Sequence, residues 1–387
     1  MHPLRLLFIT SLVPSHGSTT GYEVANAAII NGLIRSGAQV TILGFNWPGR
    51  VSSMPENTIL LGEVDVRTQD AGFKQKIKWI LKAVRTGLTV SSVKLRVISD
   101  QAFQDAIASA GEFDAYVLNG VALAGAFEHL LKDKPSIFVA HNVEHRSAAE
   151  NADAVKDIVQ KILFKREARL LAKLEKRLCD QAAFVFTLAD EDGVMLGLPS
   201  AKFATLPLVM TDQPPEPVMR EMQYALALIG TWTWQPNRIG LEWFLNKVKP
   251  LLPADMKIAV AGSTPSDLID TWPDVAFLGR VSDAVAFVES AAVVPLVSVA
   301  GTGVQLKTIE TFELGMPCVA THHSVRGISQ IPENCILADE PVAFAAALTE
   351  QVKRVRQGKR NRLDGKVFYH QQLDEMDRAI KQGLAVL

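Results

Sequence analysis

Along this chain, short runs that are apolar at nearly every position alternate with stretches in which apolar residues recur at helical spacing. In the first half the runs are Leu6–Thr10, Val40–Leu43, Tyr116–Leu118, Ile137–Ala140 and Ala183–Thr187; in the second they are Ala225–Ile229, Ile258–Ala261, Val275–Leu278, Val293–Leu296 and Cys318–Ala320. Continuous apolar runs suit strands covered on both faces, and helical stretches between them supply the crossovers of a parallel sheet. The proline-rich stretch Thr211–Pro217 separates the two groups, since it can continue neither a helix nor a central strand. The pattern therefore predicts an α/β protein with two doubly wound parallel-sheet, Rossmann-like domains. These are an N-terminal domain over 1–211, a linker over 212–224 and a second domain over 225–363, followed by a terminal helix over 364–387 that is expected to pack back on the first domain. Ligands of open parallel sheets bind beyond the carboxyl ends of the strands, so two such domains are expected to face each other across a cleft.

The densest signal lies at Gly301-Thr302-Gly303-Val304-Gln305-Leu306-Lys307-Thr308-Ile309-Glu310 and continues to Gly315-Met316-Pro317 and the run Cys318–Ala320. It reads as a glycine loop opening a helix at Gly301–Val304, a stop, and a buried strand. A helix start there aims unpaired N–H groups and the positive end of the dipole at whatever lies above the loop, which suits a diphosphate. Thr302 and the amides of Gly303 and Val304 are the candidate phosphate contacts. Lys307, one turn in, is either a phosphate-binding point charge or a solvated helix lysine. Glu310, two turns along, is placed to accept hydrogen bonds from ribose hydroxyls.

Length and composition narrow the picture further. A chain of 387 residues fits two domains with substantial cores, and 48% hydrophobic with 21% charged residues is ordinary for a globular protein. A net charge of -1 gives no reason to expect nucleic acid. The opening run Leu4–Thr10 is too short for a secretory signal or a spanning helix. Cys179, Cys318 and Cys335 sit in apolar surroundings and read as core residues of a reducing compartment, so the expected location is cytoplasmic.

These residues resemble the nucleotide-sugar signature of the retaining glycosyltransferases of the GT-B fold, in the group usually called family 4. Ile229-Gly230-Thr231-Trp232-Thr233-Trp234-Gln235-Pro236-Asn237, Val260-Ala261-Gly262-Ser263 and Phe277-Leu278-Gly279-Arg280-Val281 follow in the family's order. The resemblance implies a hexosyltransferase that moves a sugar from a nucleoside diphosphate sugar to a saccharide or lipid-linked saccharide, with retention and without a metal or other cofactor. No Asp-x-Asp pair is read in a loop, which fits. Glu310 matches the second glutamate of the family's pair, while Thr302 stands where the first would be. The arginine and lysine that many relatives carry after the first strand of the donor domain are replaced by the Thr231 and Pro236-Asn237 region. Arg238, Arg280, Lys307 or the loop amides must then hold the diphosphate. Gly230, Gly262, Gly279 and Gly301 end apolar runs as donor-site glycines or plain turn punctuation. Trp232 and Trp234 can stack on a base or sugar, or pack a hinge.

In the first domain, Ile137–Ala140 delivers His141-Asn142-Val143-Glu144-His145 at a strand end. His141 matches the family histidine that lies beside the transferred sugar, and Glu144 and His145 either contact the acceptor or start the next helix. The loop Ser15–Glu23 resembles the family's glycine loop, with Gly21 the residue carried over, and it lacks the three closely spaced glycines of a nicotinamide-cofactor site. Lys74, Lys76, Lys78, Lys82, Arg85, Lys94 and Arg96 surround Trp79, Ile80 and Leu81 with Asp70 the only nearby preceding acid. This segment either lies peripherally on an anionic membrane or forms a solvated helix face. The basic stretch Lys161–Arg177, interspersed with Glu167 and Glu175, reads as a solvated face. A nucleotide-sugar epimerase on the same fold is a competing enzyme reading, and the missing first glutamate leaves an inactive nucleotide-sugar-binding homologue as a second.

Overall fold

Thirteen strands form two sheets in the computed structural model, which describes residues 2–16, 20–68, 71–155, 157–216, 218, 220–359 and 362–387. Gly17, Ser18 and Thr19 of the first loop, Asp70 and Pro217 lie outside the described residues. The first sheet has the order β3-β2-β1-β4-β5-β6-β7, from β1 (Arg5–Leu12), β2 (Gln39–Asn46), β3 (Thr58–Glu63), β4 (Ala115–Asn119), β5 (Ser136–Ala140), β6 (Phe184–Thr187) and β7 (Phe203–Thr205). The second has the order β10-β9-β8-β11-β12-β13, from β8 (Tyr224–Ile229), β9 (Ile258–Ala261), β10 (Ala276–Gly279), β11 (Ala291–Leu296), β12 (Cys318–Ala320) and β13 (Cys335–Leu337). Every pairing within both sheets is parallel. The two Rossmann-like sheets expected from the apolar runs are present.

Central strands are apolar throughout because helices cover both faces: β4, β5, β6 and β11 are buried at every position. The apolar runs missed β3, β7 and β13, all at or next to a sheet edge and mostly half-exposed, so they carry no continuous apolar signal. Phe45, Phe103, Phe127 and Phe138 anchor one core, and Trp232, Phe244, Val260 and Phe344 the other.

The chain divides into one compact unit of Met1–Leu208 with Glu375–Leu387 and a second of Val209–Asp374. The last helix, Gly365–Leu384, contributes to both. Within the first unit, Met376 and Ile380 are fully buried and Asp377 pairs with Arg35 at 2.8 Å. Asp190-Glu191-Asp192 is an Asp-x-Asp triplet in the chain, and it occupies the first turn of the helix Asp190–Met195 rather than a loop. Asp192 there is buried. No helix among the described residues is long and apolar enough to cross a membrane.

One buried carboxyl holds the second unit's entry segment. Glu313, 2% exposed, accepts the Met210 amide at 2.9 Å, and burial pushes its pKa up to about 8. The folded state then keeps a proton that the unfolded chain releases near its ordinary value of 4.5, so stability falls as pH rises through that window. Thermal denaturation between about pH 5 and 8 should show this loss, amounting to a few kcal/mol. Glu313→Gln, which keeps the acceptor for Met210, should flatten the profile; an unchanged slope would remove Glu313 as its source.

Candidate functional site

The order of each sheet reverses once, between β1 and β4 in the first and between β8 and β11 in the second. At such a switch point the loops leaving adjacent strands diverge and open a crevice. In the second unit these loops are Gly230–Trp234, after β8, and Val297–Gln305, after β11. The glycine loop thus stands where the topology places a ligand.

Gly301 and Gly303 have φ of 99° and 74°, the left-handed region that favours glycine. The helix begins at Leu306, later than the sequence suggested, and runs to Glu313. Gln305 precedes it without a side-chain cap, and its carbonyl accepts the Thr308 amide at 2.9 Å. Lys307 is therefore the second helical residue, not one a full turn in. Its Nζ lies 3.3 Å from Asn237 Oδ1 and 5.0 Å from the Trp232 ring centroid, and among the described residues no carboxylate is within ion-pairing distance. Burial alone lowers its pKa to about 8. Lys307 is partly buried and held by Asn237, which a freely solvated helix lysine would not be.

Other expectations need correction. Trp232 is 1% exposed and donates Nε1–H to the Ala261 carbonyl at 2.9 Å, so it is a core residue supporting Lys307 and cannot stack on a ligand. Trp234, 42% exposed, can. Arg238 is held between Glu242 at 2.7 Å and Asp267 at 2.5 Å, which neutralise it. Arg280 is exposed and has no side-chain partner among the described residues. Gly262 has φ 105°, and a Cβ there would fall 1.8 Å from the Gly230 carbonyl oxygen. Its amide donates to Gly279 at 2.7 Å while Gly230 donates to Ala261 at 3.2 Å, so Gly230, Gly262 and Gly279 lace the ends of β8, β9 and β10 together. Thr231 is exposed, Thr302 and Gly303 are buried and Val304 is partly buried.

Two residues at this loop escaped the sequence reading. Asn237 bridges Lys307 and the Thr231 carbonyl, and Arg326 donates to the Gly301 carbonyl at 2.8 Å. Asn237 follows Pro236 in a helix's first turn, which was a usable signal; Arg326 lies in a turn beyond β12 with none. Glu310 is one turn past Lys307 on the same side of the helix. Its carboxylate is partly buried, accepts no hydrogen bond among the described residues, and is pushed up by burial and then by Asp283.

In the first unit, Thr10 at the end of β1, Asn119 at the end of β4, and Tyr22 and Asn26 from the helix Gly21–Arg35 form a buried polar cluster. His141, just past β5, joins it through Nε2 and Asn119 Oδ1 at 2.8 Å, with its ring 4.9 Å from that of Tyr22. Gly21 opens the helix behind the capping Thr20. Glu144 and His145 start the helix Glu144–Ala154; Glu175 accepts both amides and the His145 ring Nδ1 at 2.6 Å. His145 is thus committed to its helix, and Glu175, 1% exposed, is no part of a solvated face. Glu167 likewise accepts the Val90 amide.

The basic helix Phe73–Thr86 differs from a simple solvated face. Phe73, Ile77, Leu81 and Val84 are exposed by 78, 40, 64 and 57% and form an apolar ridge, with exposed Lys74, Lys78 and Arg85 beside it. Lys76 is partly buried, Lys82 donates to the Arg96 carbonyl at 2.6 Å, and Lys94 and Arg96 are bound inside the unit.

Residues 223–354 match the model of a family described as Glycosyl transferases group 1. A comparison with curated proteins finds no match. Among solved structures the chain is similar to sucrose-phosphate synthase from Thermosynechococcus elongatus, with 14% identity over 99% of this chain and 97% of that one and a TM-score of 0.64. It is also similar to HepE of Anabaena in complex with UDP and glucose, with 13% identity over 99% and 100% and a TM-score of 0.61. The catalytic domain of starch synthase IV from Arabidopsis thaliana, bound to ADP and acarbose, gives 11% identity over 100% of both chains and a TM-score of 0.61. Such identities speak for the fold, and the family match for the chemistry. The protein is a glycosyltransferase of GT-B architecture.

Lys307 can be tested as an anion site directly. Inorganic pyrophosphate should bind most tightly while the amine is protonated and lose affinity as pH rises through about 8. In calorimetric titrations Lys307→Met should weaken binding at least tenfold at pH 7 and abolish that pH dependence. Equal affinity in the variant would take the lysine out of the site.

Proposed function

We propose that this enzyme transfers a sugar from a nucleoside diphosphate sugar to a saccharide or lipid-linked saccharide, with retention of anomeric configuration and without a bound metal, in polysaccharide or glycoconjugate biosynthesis. The observation that carries this is Lys307: a desolvated ammonium with no counter-carboxylate among the described residues, at a sheet switch point, beside glycine-loop amides. A buried charge of this kind is costly until an anion pairs with it. Solved structures similar to the chain hold UDP with glucose, or ADP with acarbose, which supports a nucleoside diphosphate as that anion.

In this reading Lys307, with the amides of Thr302, Gly303 and Val304, holds the diphosphate, and Glu310 accepts the ribose hydroxyls. Trp234 is the ring placed to meet a base, and His141 orients the sugar. As the C1–O bond to the diphosphate breaks, the acceptor oxygen bonds to C1 on the same face. Its proton passes to the departing phosphate oxygen, and Lys307 stabilises the charge developing there.

A thermal-shift screen against UDP, GDP, ADP and their sugars tests the donor. One nucleotide should raise the melting temperature by several degrees, and Glu310→Ala should lower its affinity about tenfold or more. No shift with any nucleotide would bring the inactive-homologue reading forward. Transfer that retains the anomer in excess chelator, read by NMR, completes the test.

We further propose that the enzyme works at the cytoplasmic face of an anionic membrane, reached through the helix Phe73–Thr86. Residues 71–99 contain no acid, and the apolar ridge beside exposed lysines is what an interfacial helix presents. The protein should float with vesicles containing anionic lipid, release as salt rises, and stay in solution when Phe73 and Leu81 are both replaced by Ser. Flotation unchanged by those substitutions would place the contact elsewhere.

A further inference from the structure

We infer that Asn119 locks His141 in the tautomer protonated at Nε2, leaving Nδ1 as a fixed hydrogen-bond acceptor for a substrate hydroxyl. Asn119 is then a positioning residue, acting on the sugar through the imidazole. The contact with the sugar rests on the transferase reading; the tautomer does not.

A chain of fixed donors and acceptors makes the assignment. The backbone carbonyl of Leu12 can only accept, so the Asn26 atom facing it at 3.0 Å is the amide nitrogen, which also faces Thr10 Oγ1 at 3.0 Å. Asn26 Oδ1 therefore points away from Leu12 and accepts from Asn119 Nδ2 at 2.6 Å. With its nitrogen turned to Asn26, Asn119 offers its oxygen to His141. The Nε2 atom facing that oxygen at 2.8 Å must carry the proton. Turning either asparagine over would set two acceptors against each other inside a core where Asn26 and Asn119 are fully buried.

The remaining nitrogen, Nδ1, has no partner among the described residues. The titratable groups around the imidazole are Tyr22 on the first helix, Glu144 and His145 at the next helix start and Glu175 behind them. None of them shifts the imidazole, and burial alone drives it down to about 4. It stays neutral at physiological pH, so it can neither deliver a proton by titrating nor donate from Nδ1. What it offers a sugar is a lone pair held in one direction, which selects a hydroxyl whose hydrogen points at it.

Long-range nitrogen–proton correlation spectra of the protein labelled in histidine, with the signal assigned by His141→Gln, report the tautomer without any turnover. Expected is a protonated Nε2 and a bare Nδ1 that do not change between pH 5.5 and 8. A proton on Nδ1, or titration near an ordinary histidine value, would overturn the inference. Asn26→Ala removes the anchor while keeping Asn119, which can then turn either way, so both tautomers should appear. Transfer should fall about two- to tenfold in kcat with the donor nucleotide's affinity unchanged. A merely structural Asn26 would leave the His141 spectrum alone, and that result would also sink the proposal. If the tautomer mixes as expected but kcat holds, the lock stands and the contact with the sugar is refuted.

Discussion

Parallel strands must all be entered from the same end, so each connection runs back across a face and every strand's carboxyl end carries a loop. That constraint collects the chemistry of this chain. Thr10, Asn119 and His141 come from the ends of β1, β4 and β5, and the Gly230 and Gly301 loops leave β8 and β11. Residues more than a hundred positions apart, such as Thr10 and Asn119, bond at 3.2 Å because their strands are neighbours across the switch point. Where the order reverses, helices leave on opposite faces and the space above the strands stays open. The site is a property of the topology before it is one of any side chain.

The two switch points are furnished in opposite ways. In the first unit every member of the polar cluster has a protein partner, and His141 Nδ1 is the ring nitrogen that has none among the described residues. Such a network is rigid and, with the tautomer inferred above, leaves one acceptor fixed in place. In the second unit the charge itself is left unpaired. The fall of Lys307 from 10.5 to about 8 corresponds to about 3 kcal/mol withheld from the folded state. One switch point thus stores geometry, the other stores free energy that an anion can release.

Continuous apolar runs were legible because central parallel strands are buried on both faces, so β1, β2, β4, β5, β6 and the middle strands of the second sheet were all readable in the sequence. Of the edge strands β10 was read, as Val275–Leu278, while β3, β7 and β13 were not, since they are mostly half-exposed and β7 and β13 are three residues long. The glycine loop was legible because only glycine accepts the left-handed backbone at Gly301 and Gly303 without strain. What each polar residue does was harder to read. Arg238 and Lys307 look equivalent as cations near one loop, yet two carboxylates quench the first and, among the described residues, none reaches the second. That distinction depends on side chains from other elements, Asp267 among them, and no local pattern encodes it. The same holds for Trp232, whose burial beneath Lys307 is set by the Ala261 carbonyl at the end of β9.

The helix Leu306–Glu313 brings these strands of argument together. Its face toward the core, Thr308, Ile309, Thr311, Phe312 and Glu313, is buried, which fixes its rotation. Lys307 and Glu310 then share the remaining side, three residues apart, a spacing at which opposite charges on a free helix would attract. Here no ion pair joins them among the described residues, because Lys307 is drawn to Asn237 and the Trp232 face instead. Held apart, the two stay a separate cation and a separate acceptor, the pair that the proposed function assigns to phosphate and to hydroxyls. A mutual salt bridge would have satisfied both and left the glycine loop with nothing to offer an anion but its amides. The aromatic face beneath Lys307 is therefore as much a part of the site as the lysine, although Trp232 itself never reaches a ligand.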